Sequence, residues 1–172
     1  SLKQDWTYTL SRDRLVAAGF ELKRLEAEYA YHSAMVIEPP FDAIFDNDPV
    51  SVRDIETAPR GSQYAAYTEL RMRLGDRVTV DAGLRWDQQT YTTAKDDEQV
   101  SPRLNLLYRA GEATDLRLAF GEYYQAQEIN ELQVSDGEVD FHPAQRAQHL
   151  VASIEHGFES GMELRIEAYR KK

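Results

Sequence analysis

The sequence predicts an all-β fold: an antiparallel up-and-down meander of about eight long strands, forming a portion of a transmembrane β-barrel. Three observations predict it. Apolar and polar residues alternate with period two through most of the chain, the connections alternate between short and long, and the strands are longer than soluble sheets use. The clearest stretch is RVTVDAGLRWDQQTY, residues 77–91, where Val78, Val80, Ala82, Leu84 and Trp86 form one row and Thr79, Asp81, Gly83, Arg85 and Asp87 the other. Successive strand side chains point to opposite faces, so this pattern makes one apolar face and one charged face. At ~3.3 Å per residue the stretch would run about 50 Å, against the ~17–20 Å usual in soluble sheets.

In order, residues 3–10 alternate Trp6, Tyr8 and Leu10 with Asp5, Thr7 and Thr9, and Ser11, Arg12 and Asp13 suit a short turn. Residues 14–34 follow. Their apolar row is Val16, Ala18, Phe20 and Leu22, then Leu25, Ala27, Tyr29 and Tyr31. A shift of face by one residue predicts one long bulged strand, with a break into two as the alternative. Residues 35–60 hold Pro39, Pro40, Pro49 and Pro59 and no sustained period, so a long loop is expected. Its Asp46, Asn47 and Asp48 could hold a cation, but the glycine and distal glutamate of a calcium loop are missing and a solvated loop is the expectation.

Strands are then expected at 61–74, 77–91, 100–109, 114–123, 147–157 and 162–170. Gly75 and Asp76 supply a tight connection, and 110–113 and 158–161 are again short. Residues 92–99 and 124–146 are longer loops, the second with a helical turn expected near 128–132. Short and long connections alternate, so every short turn falls on one rim and every long loop on the other, the layout of an outer-membrane barrel. Polar rows bearing Asp81, Arg85, Arg103, Arg109 and Arg117 suit a wet lumen; in lipid each basic residue would cost up to ~2–4 kcal/mol at the midplane. Tyr64, Trp86, Tyr91, Tyr108, Tyr123 and Tyr124 lie toward strand ends, where an interfacial girdle would place them.

Composition narrows the function. A length of 172 residues suits one domain, and the net charge of −10, with no basic run beyond Arg170, Lys171 and Lys172, argues against nucleic acid. No run of about 18 apolar residues exists, which excludes a membrane-spanning helix and not a β-barrel. With no cysteine there is no disulfide and no thiol chemistry. The N-terminus lacks a basic segment followed by an apolar core, so a signal peptide is not expected. His32, His142, His149 and His156 make no metal-protease pattern; His149 and His156 lie an odd number of residues apart on one strand and would face opposite sides. Glu155 and Glu163 could approach across the last hairpin, but solvated carboxylates are the expectation. No catalytic residues, resident metal or cofactor are therefore expected, and the protein is not expected to be an enzyme.

The stretch from residue 100 onward carries a resemblance. Ser101-Pro102-Arg103 opens a strand, Phe120-Gly121 ends one, and Tyr123-Tyr124-Gln125-Ala126, Asn130-Glu131-Leu132 and Pro143 before a strand at 148–156 follow in order. This succession resembles the barrel of TonB-dependent outer-membrane receptors, with Gln125 in place of that family's Arg, Gln127 of its Pro, Ala144 of its Glu and Ser153 of its Gly. The resemblance covers about 110 residues well and the first 60 by general style. It implies a portion of a receptor barrel in the bacterial outer membrane, for uptake of a scarce nutrient such as an iron–siderophore complex. Its implied partners are outer-membrane lipid and, in the whole receptor, a plug domain, the TonB complex and the nutrient. The family's full barrel has about 22 strands, so the chain is expected to be cut mid-sheet and to close on itself or self-associate through its edge strands. A complete eight-stranded outer-membrane barrel and a soluble β-sheet binding module are the alternatives. Ligand contacts in that family come from the long-loop rim, making Phe41, Phe45, Phe141 and His142 the positional candidates.

Overall fold

The computed structural model describes residues 1–36, 38, 50–92 and 98–172. Ten strands are seen among them: β1 (Leu2–Ser11), β2 (Arg14–Glu26), β3 (Tyr29–Val36), β4 (Val50–Thr57), β5 (Arg60–Leu74), β6 (Val78–Gln89), β7 (Glu98–Arg109), β8 (Thr114–Gln125), β9 (Gln145–Gly157) and β10 (Glu163–Lys171). Eight form one antiparallel sheet in the order β1-β2-β5-β6-β7-β8-β9-β10, and β3 pairs with β4. The meander is as expected. The expectation of closure is not met: β1 and β10 are the two edges of an open sheet. Closing a sheet needs the strands to tilt and stagger so that the two edge strands meet, and β1 and β10 do not pair.

Residues 35–60 depart from the expected long loop, because Val50–Thr57 is a strand. The expected bulge is absent too. β2 pairs with β5 from Arg14↔Met72 to Glu26↔Arg60, and β3 pairs with β4 from Tyr29↔Thr57 to Val36↔Val50. Both ladders keep one register, with no residue inserted on either side, so β3–β4 prolongs the β2–β5 hairpin beyond the sheet. The ladder lapses around Pro59, which has no N–H to donate; its carbonyl still accepts from the Ala27 N–H at 3.1 Å. Leu25, Ala27 and Tyr29 therefore lie on the face that Leu15 and Lys23 occupy. The apolar row changes sides because its surroundings change, not because the strand slips.

The two faces are as the alternation requires. Laterally paired apolar rows run across most of the sheet on one side: Val16, Leu70, Ala82, Leu104, Phe120 and Leu150 from β2 to β9, and Val78, Tyr108, Leu116, Ile154 and Ile166 from β6 to β10. From Val78 to Trp86 that apolar surface spans ~27 Å along the strand before tilt, matching an outward band of about 25 Å. It ends toward the long loops in Gln88, Glu98, Glu122, Arg146 and Gln148, with Arg146 bonded to Glu122 at 2.6 Å. The short connections gather on the opposite rim. The turn after β5 takes three residues rather than the expected two, with Gly75 in the left-handed region at φ 64°.

Burial is inverted relative to a soluble sheet. Leu84, Val100, Leu104, Leu118, Leu150 and Leu164 on the apolar face are each more than 40% exposed, and among the described residues nothing covers them. The buried apolar side chains are Ala65, Tyr91, Ile129, Leu132 and Phe141, and the last four cluster on the polar side of the sheet. A soluble sandwich needs a second layer over the apolar rows; here the covering layer is on the other face.

Candidate functional site: a loop folded over the polar face

Charged side chains on the polar face pair across neighbouring strands. Arg71 meets Asp81 at 2.6 Å, Arg117 meets Glu155 at 3.1 Å and Arg165 reaches Glu155 at 3.5 Å, while also meeting Glu167 of its own strand at 2.6 Å. Exposed pairs of this kind contribute ~0–1 kcal/mol each. Their consequence is a surface that holds water while its formal charges stay matched. Arg103 stacks on Tyr123, 4.9 Å from the ring centroid, and Tyr123 lies 5.0 Å from the His149 ring. Tyr123 therefore belongs to the polar face and not to an interfacial girdle. His156 bonds Thr114 Oγ1 through Nδ1 at 2.7 Å. It sits in the row of Ile154, opposite to His149, as the odd spacing requires.

Toward the long-loop rim this face is covered. Residues 126–144, joining β8 to β9, form a strap that turns at Glu128–Glu131, where the Glu131 N–H donates to the Glu128 carbonyl at 3.0 Å, and makes one 3-10 turn at Val134–Asp136. The expected helical turn near 128–132 is thus a single turn. Ile129, Leu132 and Phe141 point from the strap into a cluster with Tyr91, against which Leu25, Ala27, Tyr29 and Val134 pack. Phe141 meets Tyr91 edge-on at 5.1 Å between centroids. Burying a side chain of this size yields about 1.5–3 kcal/mol, so a handful of residues suffices to hold the strap down.

Two tyrosine hydroxyls complete the attachment. Tyr29 donates to the Ile129 carbonyl at 2.8 Å and accepts from the Leu132 N–H at 2.9 Å. Tyr91 donates to the Gln127 carbonyl at 3.0 Å and accepts from Gln63 Nε2 at 2.7 Å. Inside the strap, Gln127 ties the two arms: its amide donates to the Glu131 carbonyl and accepts from the His142 N–H, both at 2.9 Å. Glu131 accepts from the Glu128 N–H at 3.0 Å, and Arg53 of β4 donates to the Ser135 carbonyl at 2.6 Å. Gln127 thus acts as both donor and acceptor.

Against the first residues of the strap, Ala126 and Glu128, lies a cavity of about 270 Å³, with Glu21, Lys23, Gln63, Arg85, Asp87 and Gln99 among its walls. Arg85 is held by Asp87 at 2.7 Å and Lys23 by Glu21 at 3.2 Å. The buried Gln99 donates to Gln89 at 2.9 Å. Charges paired within the wall leave amides and ion pairs facing the space, an environment for water or a polar solute.

Of the sequence candidates, Phe141 is inside the strap's apolar cluster and His142 is exposed beside Glu138, 3.2 Å away. Phe41 and Phe45, and with them Asp46, Asn47 and Asp48, lie outside the described residues. Tyr91 is buried under the strap, so it too is not in a girdle. Among the described residues no three His, Asp or Glu side chains gather as metal ligands. The residues that sequence reasoning missed are Tyr29, Gln63 and Gln127. The signal for Tyr29 was present in the displaced apolar row, which marks a second covered face.

The family model described as TonB dependent receptor-like, beta-barrel matches residues 1–170. The chain belongs to that family. No curated protein matches it. Membership identifies part of an outer-membrane receptor and transporter barrel, in a family of transporters. Within a TonB-dependent receptor barrel the two faces acquire directions: the apolar rows meet lipid and the charged rows line the lumen.

Proposed function

We propose that the chain forms part of the wall of an outer-membrane uptake channel for a scarce nutrient, an iron–siderophore complex being the leading class. One observation carries the reading: the apolar face lies bare while the loop-covered core sits on the charged face. That arrangement suits a wall with lipid outside and a constricted wet lumen inside. The lumen accommodates the plug domain, which couples to the TonB complex. Phe41, Phe45 and His142 are proposed as ligand-facing positions of the long-loop rim, with Phe141 supporting the strap from within.

The test is uptake of iron-loaded siderophores by iron-starved cells that lack the protein. Loss of uptake for at least one siderophore class, restored by the intact gene, is the expected outcome. Undiminished uptake across hydroxamate, catecholate and carboxylate siderophores would overturn the nutrient assignment.

A further inference from the structure

The apolar band does not end level with the ladders. Toward the long loops it gives way to Gln88 on β6, Glu98 on β7, Glu122 on β8, Gln148 on β9 and Arg170 on β10. Arg170 is level in the ladders with Leu150, Phe120, Leu104 and Ala82, and Ala82 lies six residues before Gln88. The border therefore slides ~20 Å along the strands while crossing four inter-strand spacings, ~19 Å in all. That slope, about 45°, is the tilt at which barrel strands cross a bilayer, so the five border residues lie at one membrane depth.

Arg146 and Lys172 stand one row further out on the same face, at a common depth. Lys172, just past β10, exchanges both backbone bonds with Gln148 at 2.9 and 3.0 Å. Arg170 is ~7 Å from Lys172 along the strand and Arg146 is its diagonal neighbour at ~7–8 Å, spacings that long side chains bridge. All three are exposed. Glu122 accepts from Arg146 at 2.6 Å and from Gln148 at 3.0 Å, whereas Arg170 and Lys172 meet no carboxylate among the described residues. Two cations are thus in excess here, on a chain of net charge −10, while the same border on β6 and β7 holds only Gln88 and Glu98.

We propose that Arg146, Arg170 and Lys172 bind the headgroup phosphate of an outer-leaflet lipid whose acyl chains lie along Phe120, Leu150 and Ile166. Unpaired cations at the edge of hydrocarbon are costly until they reach an anionic headgroup, and guanidinium groups hold phosphate through paired hydrogen bonds. The site rests on the apolar face meeting lipid and not on which nutrient is carried.

The experiment titrates bisphosphorylated lipid A into the protein in a zwitterionic detergent and counts bound lipid by native mass spectrometry. Arg146→Gln, Arg170→Gln and Lys172→Gln, combined, should weaken binding at least tenfold, and dephosphorylated lipid A should bind the unaltered protein at least tenfold more weakly. Inorganic phosphate at equal concentration should not displace the lipid. Undiminished binding to the triple variant, or equal binding of the dephosphorylated lipid, would overturn the site. Displacement by inorganic phosphate would show an anion site rather than a lipid site. An equal loss in Arg73→Gln, a cation of the polar face, would reduce the effect to net charge. Both tryptophans, Trp6 and Trp86, are on the apolar face, so phosphatidylcholine vesicles with brominated acyl chains should quench their fluorescence equally in all variants. Absence of quenching in the unaltered protein would overturn the lipid-facing reading itself, and the site with it.

Discussion

Gly19 and Gly83 both lie on the polar face, yet their surroundings make opposite demands. A Cβ at Gly19 would fall 2.6 Å from the Tyr67 ring and 2.8 Å from the Gln4 carbonyl, and Tyr67 is held there by its hydroxyl bond to Asp5 at 2.7 Å. Moving the ring does not relieve a clash with backbone, so the β1–β2 ladder must shift. Gly19→Ala should cost about 1–3 kcal/mol. A Cβ at Gly83 meets nothing nearer than 3.5 Å, so Gly83→Ala should stabilise the strand by ~0.5–1 kcal/mol through reduced chain entropy. Urea midpoints of the two variants, folded in the same detergent, should move in opposite directions. Period-two reading places both glycines on the charged face. It does not tell them apart, because the tyrosine lying over Gly19 comes from β5, nearly fifty positions away.

At the scale of the element, the strap shows how a loop acquires structure without strands or helices. Leu132 is 5% exposed and sits between the Tyr29 hydroxyl bond and the Tyr91 ring cluster. Leu132→Ala should cost ~2–5 kcal/mol, but the loss should be confined to the strap. Limited proteolysis should nick the variant within 126–144 while the eight-stranded sheet remains resistant. General fragmentation would mean that the strap supports the whole sheet. Asn130-Glu131-Leu132 was legible as a family element in the sequence. Its role was not, because Tyr29 lies about a hundred residues from its partners. The β3–β4 hairpin was missed for a related reason: prolines and acids in 35–60 hide a ladder whose register is inherited from β2 and β5.

At the scale of the whole molecule, one residue of register separates lipid from water. Leu104 and Asn105 are neighbours on β7, both exposed, and point to opposite faces. Leu104→Arg places a guanidinium in the apolar band and should cost ~2–4 kcal/mol if near the midplane. Asn105→Arg joins Asp81, its cross-strand partner, and should cost well under 1 kcal/mol. Folding yield into lipid vesicles across a urea series checks the pair. Equal losses would mean that the apolar rows do not face lipid.

The sequence by itself determined the eight strands of the main sheet, their alternating faces, the sorting of turns to one rim and loops to the other, and the family. These follow from local periodicity and turn chemistry, which neighbouring residues carry. The tertiary structure decided what lies on each face. Only the folded chain shows that the apolar rows stay bare, that Leu25, Ala27 and Tyr29 turn apolar because a distant loop settles on them, and that two tyrosine hydroxyls fasten that loop. Such contacts join residues far apart in the chain, and no periodicity within a strand records which segment will cover it.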